Sequence, residues 1–199
     1  MGTRNLTCII KDGLFRVAQY GQWDGYPSGA GAYILNFLNN QDNIQLLENA
    51  LERVKFYADG ELEQKLDKAG MNCGIVVGSE QEREYQKQFF WTDRDLRYKI
   101  LDALINRDDP IIMLDNQLDF AGDSLFCEWA YVIDLDQMTL GIYKGFNEDP
   151  KADNGVFSGI VPTDDEGRYQ TVALVKNYPL DDLPNPETFV EECDPPEGD

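Results

Sequence analysis

Two β-rich runs, NLTCIIK (5–11) and LFRVAQY (14–20), meet at Asp12-Gly13. A two-residue Asp-Gly connection between such runs predicts a tight hairpin, because both turn positions favour positive φ. The chain must therefore begin its sheet at once. Behind the hairpin comes AQYGQWDGYPSGAG (18–31), in which four glycines, three aromatics and a proline stand between strand and helix. Ser28 is placed to cap the following run, where Tyr33, Ile34, Phe37 and Leu38 recur at helical spacing.

A second helix starts near Asp42 or Asn43, with Ile44, Leu47, Leu51 and Val54 on one stripe. DGELEQKLDKAG reads as a short third helix ending at Gly70, and MNCGIVVGS (71–79) as either a strand or a buried turn. Thr92 or Asp93 caps a further helix carrying Leu96, Ile100 and Leu104, stopped by Pro110. Strand candidates fill the second half: PIIMLD, a hairpin of 126–134 with 138–145 around Leu135 to Gln137, and 169–178. The order of hairpin, helices and more strands predicts an α+β fold with a mainly antiparallel sheet and helices on one or both faces. A length of 199 residues suits one domain, placed at 1–180. The rest, 181–199, is read as an acidic solvated tail: eight carboxylates and no Lys or Arg follow Asn177.

The chain has no histidine, which excludes Ser–His and Cys–His nucleophile pairs and the usual Cys/His zinc sites. Cys8, Cys73, Cys127 and Cys193 are scattered singly and read as reduced core residues. A net charge of −20 disfavours contact with nucleic acid through phosphates. No apolar run reaches membrane-spanning length and no leader pattern opens the chain, so a cytoplasmic protein is expected. No cofactor motif is present, since GYPSGAGA lacks both the third glycine and the lysine of phosphate loops.

The site expectation falls on the glycine corner. Tyr20, Trp23 and Tyr26 beside Gln22, Asp24 and Ser28 are ingredients of a small ligand pocket, with Glu128 of CEWAY added from the second hairpin. Strand alternation puts Cys127 and Trp129 on one face and Glu128 with Ala130 on the other. Close packing of a helix on the hairpin is the competing reading of the same glycines. Asp24 with Glu128 or Asp134 would form a carboxylate pair or magnesium site, although DLD (134–136) reads better as a turn.

The opening block through Gly31, with DSLFCEWAYVIDLD (123–136), LGIYKGFN (140–147) and VKNYPLDDLP (175–184), resembles an uncharacterised protein family found in bacteriophages and fungal genomes. The resemblance implies a viral or mobile-element origin and residence in host cytoplasm, but no reaction. Binding of a small ligand or host protein is the function expected. The alternatives are an acidic mimic of nucleic acid and a histidine-free amide hydrolase of N-terminal-nucleophile type, built on a similar sandwich. The hydrolase would use Thr3 as nucleophile with Arg4, Asn5 and Asp24 around it. Loss of Met1 exposes only Gly2, and Cys8 sits inside the first strand, so that chemistry needs a further cleavage.

Overall fold

A computed structural model describes residues 2–68, 87, 89–92 and 96–195. The segment 71–79 and Cys73 lie outside the described residues. The fold is α+β, with a mainly antiparallel five-stranded sheet. The opening hairpin forms as its sequence requires: β1 (Asn5–Lys11) and β2 (Leu14–Gly21) pair antiparallel, and Asp12 and Gly13 take φ of 58° and 69°. Three more strands follow late in the chain, β5 (Trp129–Asp134), β6 (Thr139–Lys144) and β7 (Ala173–Pro179). Sheet order is β2-β1-β5-β6-β7. Every neighbour pair is antiparallel except the central one, where β1 and β5 run parallel with Asn5 opposite Trp129 and Ile10 opposite Asp134.

Both faces of the sheet are covered, which is why WAYVID of β5 is buried along its whole length. Ile9, Val17, Tyr131, Ile133 and Ile142 face a helical layer. That layer holds α1 (Ala32–Leu38), α2 (Gln41–Leu51), α4 (Ile100–Ile105) and α5 (Pro186–Cys193). The outlying α3 (Glu61–Lys68) buries no residue fully, though Leu62 and Leu66 pack on the core. A small parallel pair, β3 (Val54–Phe56) with β4 (Ile112–Leu114), stands apart from the main sheet. Leu6, Cys8, Ile10, Ala130, Val132 and Tyr143 face the opposite layer, where irregular chain supplies Ala121, Phe157 and Val172. Helices thus cover one face and loops the other.

Several local expectations are corrected. Ser28 caps nothing: Pro27–Gly31 is a single π-turn whose N–H groups are met by backbone, and α1 starts only at Ala32. Asn40 caps α2 through the Asp42 N–H. Val54 leaves the α2 stripe to begin β3. α4 ends at Ile105, before Pro110 has any part in stopping it. Cys127 and Trp129 lie in opposite cores, because regular alternation begins only at Trp129.

The largest difference concerns 181–195. Asn185 accepts from the N–H groups of Glu187 and Thr188 and starts α5, whose Phe189 and Cys193 are buried in the helical layer. The carboxylates occupy its outer side, with Glu192 taking Lys176 and Asp194 taking Lys144. Glu187, Glu191 and Glu192 are exposed on this helix, so residues 186–193 are docked structure and not a loose tail.

Hairpin DLD also proves to be turn chemistry. Asp134 Oδ1 accepts from the N–H groups of Asp136 and Gln137, while the Asp136 carboxylate accepts from those of Asp12 and Gly13 at 2.9 and 2.7 Å. One carboxylate thereby ties the two hairpin tips together.

Phe189→Ala should cost about 3–5 kcal/mol in denaturant unfolding, a large-to-small change in a sealed core; a loss near zero would restore the loose tail. The N–H groups of Gly13 and Asp12 hold the Asp136 carboxyl below its ordinary value. Its contribution is therefore present above the unfolded pKa of about 4 and lost as pH falls through the lower folded one. Melting of the wild type should drop more steeply than that of Asp136→Asn as acid is added through this range. Parallel curves would count against the tie.

Candidate functional site

The glycine corner is a filled joint. Tyr131, fully buried, donates its O–H to the Gly25 carbonyl at 2.7 Å, and burial pushes its phenol well above the ordinary value. A Cβ on Gly31 would lie 2.6 Å from the Phe189 ring and 3.0 Å from that of Tyr131, so only glycine permits the helix to close on the sheet here. The Asp24 carbonyl accepts from Ala30 N–H, and that of Tyr26 from Gly29 N–H. Side chains of Trp23, Asp24, Tyr26 and Ser28 are turned to the surface, Trp23 lying against Gly2, and Gln22 is half-buried. Glu128 Oε1 accepts from the Arg4 N–H at 3.2 Å.

Three clefts formed by described residues show where ligands could sit, and none is lined by Gln22, Trp23, Asp24, Tyr26, Ser28 or Glu128. Tyr20 reaches a shallow one of about 460 Å³, where its ring meets Phe120 edge-on beside Asp119 and Asp123. Burial pushes the Asp123 carboxyl up. Glu128 and Asp134 are six residues apart along the chain at opposite ends of β5, roughly 20 Å for extended backbone. Asp24 belongs to the Glu128 end, since Gly25 N–H bonds Thr3 O there. The proposed pairing of Asp24 with Asp134 is therefore not formed. Among the described residues no group of three or more Cys, Asp or Glu side chains is placed to hold a metal ion.

A better-built cleft lies on the loop-covered face, at the end of the β5–β6 hairpin. It encloses about 310 Å³ and is lined by Val132, Asp134, Thr139, Gly141, Tyr143 and Asn177, among others. Register explains the set. Val132 and Gly141 are cross-strand partners, as are Asp134 with Thr139 and Gly141 with Asn177. Gly141 is the floor: a Cβ there would stand 3.0 Å from the Tyr143 ring and 3.7 Å from Asn177 Oδ1. Above it the phenol is held by Gly155, whose φ is 49° and whose added Cβ would lie 2.5 Å from the hydroxyl. Val156 N–H donates to that hydroxyl at 3.3 Å, and the Phe157 ring closes on the Tyr143 ring edge-on at 4.8 Å.

Asp134 is nine-tenths buried, and both of its hydrogen bonds use Oδ1. Oδ2 takes no hydrogen bond or ion pair from a described residue, and no described Lys or Arg lines the cleft. Burial raises the Tyr143 phenol above its ordinary value, with Asp153, Cys8 and Asp134 adding to the effect. Its proton is therefore retained at neutral pH and can be donated to a ligand. The cleft thus offers one carboxylate oxygen, one phenolic donor and the amides of Gln137 and Asn177 over an apolar floor.

Burial pushes the thiols of Cys8 and Cys127 upward, opposing thiolate formation. Thr3 is buried and its carbonyl is engaged by Gly25. Asn5 Oδ1, Thr7 Oγ1 and Trp91 Nε1 are buried and take no hydrogen bond from or to a described residue. Of the cleft residues, only Asp134 was singled out from sequence. The signal that points to the rest is a glycine inside the strand TLGIYK, which marks a close approach or a missing wall.

No family model matches the chain, and neither a curated protein nor a solved structure matches it.

Gly155→Ala should misplace Tyr143, because the methyl meets the hydroxyl and the residue must keep positive φ. We expect a destabilisation of about 1–3 kcal/mol by denaturant titration; a neutral substitution would contradict the clamp.

Proposed function

We propose that this protein is a non-catalytic binding protein whose ligand is a small amine-bearing molecule held in the Asp134–Tyr143 cleft. The observation that carries this reading is the Oδ2 of the nine-tenths-buried Asp134 carboxylate, to which no described residue donates, in a cleft lined by no described Lys or Arg. An ammonium group satisfies that oxygen, and a net charge of −20 raises the local concentration of cations. Tyr143 donates to an acceptor on the ligand, and Val132 and Leu174 cover a compact apolar body. The blocks that carry the likeness to the phage and fungal family, 123–136, 140–147 and 175–184, also supply Asp134, Gly141, Tyr143 and Asn177. Phage-type origin and a cytoplasmic setting belong to the same proposal. Among the described residues no helix is long and apolar enough to cross a membrane.

The exposed rings of Trp23, which lies against Gly2, and Phe126, under Arg4, together with exposed Tyr26, favour a second reading in which the corner contacts a host macromolecule.

Amide-shift titration with a panel of small aliphatic amines and their alcohol isosteres tests the first reading. Saturable shifts confined to β5, β6 and β7 are expected for amines and not for alcohols. Asp134→Asn keeps an oxygen for the two turn N–H groups while removing the charge, and should weaken binding about tenfold or more. Equal affinity in Asp134→Asn, or shifts spread over the whole acidic surface, would refute the assignment.

A further inference from the structure

Tyr143 is the second buried polar group of the Asp134 cleft, and its position narrows what can enter. Asp134 with Thr139, Val132 with Gly141 and Ala130 with Tyr143 are successive cross-strand pairs two residues apart, so their side chains share one face of the sheet. The Tyr143 ring leans from its own row over the next: a Cβ on Gly141 would stand 3.0 Å from the ring and 3.6 Å from the hydroxyl. The phenol oxygen is thereby carried to the Val132–Gly141 row, one step of about 7 Å along the strands from the row of Asp134. Gly155 and Val156 hold it there, from a turn in which Asp153 accepts the Gly155 N–H at 2.8 Å.

The two groups call for different partners. Asp134 Oδ2 can only accept. Tyr143 is 3% exposed and its oxygen already accepts from Val156 N–H, while no described residue accepts its proton. A buried donor left unmet is costly, so a ligand that reaches Tyr143 must bring an acceptor. The surroundings decide the charge of that acceptor. Beyond the effect of burial, the carboxylates of Asp153 and Asp134 oppose negative charge on the phenol oxygen. An anionic oxygen of a ligand beside it meets the same repulsion, and a hydroxyl, ether or amide carbonyl does not. Two hydrogen bonds of about 2.8 Å with a short N–C–C–O unit between them span the step from one row to the next.

We propose that the cleft is specific for amines that carry a neutral hydrogen-bond acceptor on the neighbouring carbon, vicinal amino alcohols being the simplest, and that it rejects free amino acids. This rests on the amine reading of the same cleft and adds a division of labour: Asp134 holds the ammonium group, and Tyr143 selects among amines.

The test is amide-shift titration of the intact chain with isoamylamine, leucinol and leucine. The three share an isobutyl body and an amine, and differ only in whether the amine-bearing carbon carries hydrogen, hydroxymethyl or carboxylate. Leucinol should bind about fivefold or more tighter than isoamylamine, and leucine more weakly than isoamylamine. Tyr143→Phe should bring leucinol to the affinity of isoamylamine and leave isoamylamine itself unchanged, which shows that the cleft still forms. The wild-type order of the three ligands is a readout independent of how the variant folds. Leucinol no tighter than isoamylamine, leucine as tight as leucinol, or a leucinol preference that survives in Tyr143→Phe would each overturn the proposal and leave the amine reading in place. Failure of isoamylamine and leucinol alike to bind, or equal isoamylamine affinity in Asp134→Asn, would instead remove the amine reading and this proposal with it.

Discussion

Parallel pairing of β1 with β5 is the contact on which the structure depends. The two strands come from distant parts of the chain, the opening residues and the segment from Trp129, and neither hairpin has a covered sheet without the other. Closing so long an intervening segment carries an entropic cost that only extensive burial can offset. The register supplies that burial: helices cover Ile9 and Ile133 on one side, and loops cover Cys8 and Val132 on the other. A slip of one residue would send each of these side chains to the wrong layer. The Asp136 carboxylate on the Asp12-Gly13 turn holds the same register from the tip.

Local chemistry was largely legible. The Asp-Gly turn, the α2 stripe from Ile44 to Leu51, and the second hairpin with its DLD corner follow from neighbours in sequence. What depends on distant partners did not show. Nothing in NLTCIIK says that it pairs with WAYVID, or that it does so in parallel. Phe189 in its acidic surroundings looks like part of a solvated tail until Gly31 is seen to leave room for its ring. The 18–31 glycines drew attention as a ligand loop, yet their use is packing. Gly141, alone in a strand, shapes a cleft with Tyr143 and Gly155 that no contiguous motif encodes. A glycine reports missing volume, and only the neighbours decide whether that volume is filled.

The same contrast governs charge. Most of the carboxylates are surface groups on helices and loops, and their sum says little about recognition. What matters in a cleft is how a particular charge is held. Asp134 is nine-tenths buried, and the N–H groups of Asp136 and Gln137 both reach its Oδ1. The Asp134 cleft rests on chain brought in from afar, namely β7 and the turn at Gly155 and Val156.

The most direct measurement is a set of inter-strand NOEs between the backbone protons of β1 and β5. The account predicts contacts that place Asn5 beside Trp129, Cys8 beside Val132 and Ile10 beside Asp134. Contacts in the reverse direction, with Asn5 near Asp134, or no contacts between these strands, would contradict it.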